Sequence, residues 1–241
     1  MNSNYIKYSV EESAKRIDEI ILSSDVSYEE VNSLPSRDKL TFTNGFYVNC
    51  SALFVDIRKS SELPNIHKRP QLAKLFRTYI SEVVAVINGN PKCAEINVVG
   101  DCVSGIFDTP YKSDIDSVFD RACMISPLID IMNYKFKKNS IAEIEIGIGL
   151  AYGRALMIKA GYNGSGINEV VWMGDVVNEA SNLASYGNRE SYDKEIMMSN
   201  VFYQNLSEEN KKYVKSNPYR SCYHSNAINA NMSDWYEQNC K

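Results

Sequence analysis

The run Glu95–Phe107 (Glu95-Ile96-Asn97-Val98-Val99-Gly100-Asp101-Cys102-Val103-Ser104-Gly105-Ile106-Phe107) sets two short apolar stretches on either side of Gly100-Asp101. Glycine tolerates the positive φ that a tight hairpin turn requires, so the run predicts two antiparallel strands joined at that dipeptide. Upstream, Ser51-Ala52-Leu53-Phe54-Val55-Asp56-Ile57 is apolar enough for a buried central strand, yet it carries one carboxylate near its end. A charge placed there is costly to bury unless it is paired or binds a cation. Two aspartates brought together by strand pairing make an all-oxygen site of the kind that holds Mg2+ or Mn2+. The plainer alternative is an acid on a solvated turn.

The rest of the chain is read around that hairpin. Ser9-Val10-Glu11-Glu12 has the pattern of a capping box, and Val10, Ala14, Ile17 and Ile21 follow at helical spacing. That helix is expected to pack on the domain or on a second subunit, and residues 23–45 read as polar and irregular. From Pro70, the apolar stripe Leu72, Leu75, Phe76, Tyr79, Ile80, Val83, Val84 and Ile87 predicts a helix. A second helix runs from Asp114 and is expected to bend or restart at Pro127. Ala142 to Leu150 alternates apolar residues with Glu143, Glu145, Gly147 and Gly149, a strand with one covered face. Gly161–Gly166 reads as a loop, Glu169–Met173 as a strand and Asp175–Ser185 as a helix. A short strand near Glu195–Met198, a helix to about Val214 and a polar tail complete the chain. The order β-α-β-β-α-β predicts an α+β fold with a ferredoxin-like core. It divides into an N-terminal helical extension over 1–45, a main domain over 46–200, and a C-terminal helix and tail over 201–241 packed on that domain.

Composition narrows the function classes. Lys and Arg number 26 against 30 Asp and Glu, a formal charge of −4 with no basic run, which argues against a duplex nucleic-acid binder. No apolar run approaches a membrane span or follows a basic start, so the expected location is the cytoplasm. The six cysteines have no regular spacing and only two histidines accompany them, which argues against structural zinc.

Four motifs then resemble one family, the class III nucleotidyl cyclases. They are Phe54-Val55-Asp56-Ile57; Val99-Gly100-Asp101; Ile146-Gly147-Ile148-Gly149 with Gly153; and Gly174-Asp175-Val176-Val177-Asn178-Glu179-Ala180-Ser181. The resemblance covers roughly Val48 to Ser199 and implies specific roles. Asp56 and Asp101, with the carbonyl of Ile57, would hold two divalent ions, Mn2+ or Mg2+. These would activate the ribose 3′-hydroxyl and neutralise the triphosphate during in-line attack on the α-phosphorus. Asn178 would orient the ribose. Apart from the resemblance, the polar turn Arg58-Lys59-Ser60-Ser61 after Asp56 offers backbone amides and cationic side chains to phosphate oxygens, the alternative being a solvated loop. The family's head-to-tail dimer implies a homodimer with composite active sites.

The departures from the family pattern concern the base and the transition state. Asn97 stands where the family has a purine-reading Lys or Glu, and Val171 where it has a second base-reading residue. Asn182 replaces the arginine that steadies transition-state charge, and the C-terminal phosphate lysine has no evident counterpart. Arg58, Arg154, Arg189 and Arg220 are the substitutes to weigh. The whole chain most resembles the stand-alone pyrimidine cyclases of Pycsar antiphage systems, whose product activates a separate effector. This gives CTP as the expected substrate and cyclic CMP as the product, with UTP as runner-up. The alternative is a degenerate, non-catalytic module that binds nucleotide.

Overall fold

The computed structural model describes residues 3–240. In chain order its elements are α1 (Val10–Ile21), β1 (Tyr28–Val31), β2 (Gly45–Ile57), α2 (Leu63–Ile66), α3 (Arg69–Asn88), β3 (Cys93–Val99) and β4 (Cys102–Phe107). There follow α4 (Lys112–Lys138), β5 (Ile146–Tyr162), β6 (Ile167–Met173), α5 (Asp175–Tyr186), β7 (Ile196–Met198), α6 (Asn200–Asn205), α7 (Glu208–Lys211), β8 (Lys215–Asn217), β9 (Cys222–Ser225) and α8 (Ala230–Cys240). The sheet runs β3-β4-β2-β5-β7-β9-β8, with β1 added to β2 and β6 to β5. Its first four strands, β2, β3, β4 and β5, are ordered second-third-first-fourth, the split βαβ arrangement expected from the sequence.

One face of the sheet is covered by α3 and α4. Leu53, Val55, Ile57, Val103, Phe107, Ile146, Ile148 and Leu150 meet Leu75, Tyr79, Val83, Ile87, Phe119, Ile125 and Phe136 there in one large apolar cluster. The other face carries mainly small residues, Cys50, Ala52, Ala151 and Ala155, with Ile106, and meets Val176 and Ala180 of α5. Gly147 and Gly149 are needed on that face because α5 lies directly on β5. A Cβ on Gly149 would sit 1.9 Å from the Ala180 carbonyl oxygen, and one on Gly147 2.2 Å from that of Ala184. Residues 146–151 are therefore buried throughout, so this strand has two covered faces where the alternation had suggested one.

Several expectations change on the structure. The strand predicted from Ala142 begins at Ile146 but runs to Tyr162, forming with β6 a long hairpin arm. Residues 23–45 contain β1, which pairs in parallel with the start of β2. Helix α4 continues through Pro127 rather than restarting. Proline lacks the N–H that would satisfy the Cys123 carbonyl, and the Asn229 N–H donates to that oxygen instead at 2.8 Å. The segment supplying it leads into α8, so the stretch read as a polar tail is a docked helix, preceded by the β8–β9 hairpin. Helix α1 buries none of its residues, although Arg16 stacks 4.5 Å over the Tyr162 ring on the arm. Among the described residues no helix is long and apolar enough to cross a membrane.

Candidate active site

Strand β2 alternates between the two faces of the sheet. Leu53, Val55 and Ile57 point to the large core, which leaves Ala52, Phe54 and Asp56 on the side of α5. The Tyr79 hydroxyl donates to the Val55 carbonyl at 3.1 Å and fixes the strand end just before Asp56. Val99 pairs with Cys102 across the predicted turn, and Gly100 takes the required positive φ of 64°. Because β4 pairs with β2 through Val103 and Val55, the hairpin tip lies beside that end. The carboxyls of Asp56 and Asp101 consequently face each other. Burial, and then the Asp101 charge, raise the Asp56 pKa, and the Arg58 guanidinium opposes them. Burial beside the same two carboxylates pushes the Cys102 thiol up to about 12. Asp101 Oδ2 is buried with no hydrogen-bond partner among the described residues.

Two facing carboxylates, one with an orphaned oxygen, fit a hard divalent cation bound through oxygen. Among the described residues no group of three or more His, Cys, Asp or Glu side chains surrounds such an ion. Its remaining ligands would be carbonyls such as that of Ile57, water and substrate.

The turn after Asp56 is less free than the sequence suggested. Arg58 Nη2 lies 2.7 Å from Asp56 Oδ2, while Nη1 donates to the Ser185 carbonyl at 2.6 Å, near the end of α5. Arg58 thus braces the Asp56 carboxylate against α5. Lys59 adopts a left-handed φ of 52°, and Ser60 opens a short 3-10 turn. Arg58 and Lys59 line a cavity of about 450 Å3 that also holds Glu62, Asn133, Glu143 and Glu145. Three carboxylates make that cavity a poor host for triphosphate.

Asn178 lies elsewhere. Val176, Ala180, Leu183 and Ala184 turn α5 toward the sheet, leaving Asn178, Glu179 and Asn182 outward. They line a groove of about 320 Å3 with Asp175, Tyr186 and Arg220. Arg220 comes from the β8–β9 turn, where Nε and Nη2 donate to the buried Asp193 at 3.2 and 2.9 Å. Its guanidinium carbon also stands 4.4 Å from the Tyr186 ring centroid. Of the other arginines, Arg154 stacks over Tyr47, pairs with Glu30 and lines a neighbouring cavity that shares Asp175 with this groove. Among the described residues the side chain of Arg189 makes no hydrogen bond that ties it to the groove; its backbone N–H donates to the Tyr186 carbonyl.

Asn97 pairs with Ser104, which pairs with Phe54, which pairs with Gly149, so Asn97 shares a row on the α5 side of the sheet. Val171 pairs with Ile158 in the arm, while its neighbours Val170 and Trp172 turn to Leu40, Phe46 and Met157. The structure does not set Asn97 and Val171 in that one row. The link between their strands is Arg37, which ion-pairs with both Glu95 and Glu169. No pattern in the polar segment 23–45 pointed to it.

The model of the adenylate and guanylate cyclase catalytic domain matches residues 43–221 of the chain. The chain belongs to the class III nucleotidyl cyclases. A uridylate cyclase of Gulbenkiania mobilis is 39% identical to this cyclase over 258 residues, covering 99% of this chain and all of that one. One of Treponema porcinum is 40% identical over 238 residues, covering 97% of this chain and 82% of the relative. Among solved structures, the adenylyl cyclase CyaB from P. aeruginosa superposes with a TM-score of 0.61 at 22% identity, over 71% of this chain and 85% of that chain. The guanylyl cyclase Cya2 gives 0.60 at 17% identity, over 72% and 83%. Divalent metal ions are general to this class, and the cyclase's four motifs fall on one end of the sheet and on the helix pressed against it.

Proposed function

We propose that this cyclase is a homodimer that converts a pyrimidine nucleoside triphosphate to its 3′,5′-cyclic monophosphate and pyrophosphate. The facing pair Asp56 and Asp101, with its orphaned oxygen, carries the catalytic reading; a scaffold has no use for two half-buried carboxylates set against each other. The names of the two relatives supply the base and move UTP ahead of CTP in the order of substrates. Asp56, Asp101 and the Ile57 carbonyl would hold divalent ions, Mn2+ or Mg2+, which when bound supply a Lewis acid to the 3′-hydroxyl and the triphosphate.

The chain's own side chains do the positioning. Arg58 holds the Asp56 carboxylate in place from α5. The Asn178 amide, able both to donate and to accept, would orient the ribose. Arg220 lies in the groove with Asn182, where the family arginine is missing, and is the cation best placed to meet charge on the transferring phosphoryl group. Asn178 lies seven residues before Ser185, about 10 Å along the helix from the carbonyl that holds Arg58. That separation suits a site completed by a second subunit. A cyclic pyrimidine nucleotide would then serve as the second messenger of an antiphage defence, read by a separate effector in the cytoplasm.

Incubating the purified protein with each of the four nucleoside triphosphates and Mn2+ or Mg2+, then identifying products by mass, tests this reading. Cyclic UMP with pyrophosphate is expected, with less cyclic CMP. Efficient cyclisation of ATP or GTP would overturn the pyrimidine assignment. Mixing inactive Asp101→Ala and Asn178→Ala proteins should restore partial activity through one intact hybrid site; no recovery despite subunit exchange would overturn the composite site.

A further inference from the structure

Arg37 lies outside residues 43–221 that match the cyclase domain, yet it pairs with Glu95, two residues before Asn97. Its segment is firmly anchored. Ser33 Oγ and the Leu34 N–H donate to the two oxygens of Asp108 at 2.6 and 2.9 Å, and Leu34 packs against the small-residue cluster. Ser36 caps the short turn that Arg37 opens, and Leu40 is buried with Phe46 and Met157. The guanidinium is held as well. Nε and Nη2 donate to Glu95, whose side chain is 6% exposed, and Nη2 also donates to Glu169 at 3.1 Å.

The register makes this placement informative. Glu95 and Asn97 lie on the same side of β3, as Glu169 and Val171 do on β6, because side chains two apart in a strand share a face. Arg37 therefore stands beside Asn97 on the α5 side of β3 and is tied through Glu169 to the arm, where Val171 faces the other side of the sheet. Three of its five N–H groups go to carboxylates. The two on Nη1 have no partner among the described residues, and the side chain stays 53% exposed. A guanidinium offers donors and no acceptor. Held this way, it keeps a fixed donor pair beside Asn97 on the α5 side of β3, open to a base that reaches that row.

We infer that Arg37 is a base-specificity residue that donates from Nη1 to a carbonyl of uracil and so selects UTP over CTP. Uracil presents a carbonyl at the position where cytosine carries an amine, and an amine facing a guanidinium leaves donors opposed and unpaired. The inference rests on the pyrimidine cyclase reading and adds to it the residue that separates the two pyrimidines. Asn97, whose amide can turn either way, does not separate them.

The test compares kcat/KM for UTP and CTP in the wild type, Arg37→Gln and Arg37→Lys, with thermal midpoints alongside. Gln can keep one hydrogen bond to Glu95 but loses the free donor pair, so the UTP-to-CTP ratio should fall by about tenfold or more. Lys keeps the charge without the planar fork and should fall between. Calorimetric Kd values for UTP and CTP in Ca2+ read the same discrimination without turnover, so an inactive preparation still answers. An unchanged ratio in folded variants, or a wild type that binds CTP as well as UTP, overturns the inference and leaves the cyclase reading standing. A wild type that makes no cyclic pyrimidine nucleotide, yet discriminates by binding and loses this in Arg37→Gln, overturns the activity and supports the inference.

Discussion

The two faces of the sheet divide the work of the molecule, and β5 shows how. Ile146, Ile148 and Leu150 point one way into the large core, while Gly147, Gly149 and Ala151 point the other way toward α5. The first face holds large apolar residues and contributes most of the burial. The second is nearly without side chains, so a helix backbone can rest on a strand backbone. That close approach fixes α5, and through Ser185 and Arg58 it fixes Asp56. On this small-residue face a charge or an amide is displayed at little cost to packing, and Asp56, Asn97, Asn178 and Arg220 are found on or beside it. Stability and chemistry should thus respond to different substitutions.

The largest effect is expected at the hairpin tip. Asp101→Asn should lower kcat by at least about a thousandfold, because it removes a charge from the oxygen ligand set with no change in volume. Its melting midpoint should be unchanged or higher, since the Asp101 charge opposes ionisation of Asp56. A variant with near-normal turnover in Mn2+ would remove the metal-binding role of the pair. On the opposite face, Phe119, fully buried in α4, should behave in the reverse way. Phe119→Ala should cost about 3–5 kcal/mol, lowering the midpoint by on the order of 10 °C. Its kcat, measured where the variant is fully folded, should stay within about twofold of the wild type. A loss approaching that of Asp101→Asn would mean that the two faces are coupled more tightly than their packing suggests.

The same division explains what could be read from the sequence. The hairpin, the strand through Asp56 and the Gly-rich start of β5 are specified by neighbouring residues, and they were legible. So was the approach of Asp56 to Asp101, because an acid at the end of an apolar run is anomalous by itself. The continuation of α4 through Pro127 was not legible, because the partner of the freed carbonyl is Asn229, remote in sequence. Arg37 was not legible either. Its meaning lies in two glutamates on separate strands, and the polar segment around it has no periodicity. The pairing of Arg220 with Asp193, which brings it to Asn178, is likewise a matter of tertiary structure.

Glu195 offers the finest test of the comparison, because it is a buried acid with no place in the proposed chemistry. It stands just before β7, where Asn188 Nδ2 donates to its Oε2 at 3.2 Å. Burial raises its pKa above the ordinary 4.5; hydrogen bonds from Ser126 and Asn188 oppose this, while the charges of Asp130 and Glu145 add to it. The folded protein therefore keeps this proton to higher pH than the unfolded chain does. The resulting stability is fully present below about pH 4.5 and is lost as pH rises through the folded value. Glu195→Gln is neutral throughout and still accepts from Asn188. Its urea midpoint should exceed that of the wild type at about pH 7.5, and the difference should shrink toward zero near pH 4. Its kcat with UTP should not change. An equal gain at both pH values would trace the effect to packing rather than ionisation, and a fall in kcat would place Glu195 with Asp56, among the carboxylates on which turnover depends.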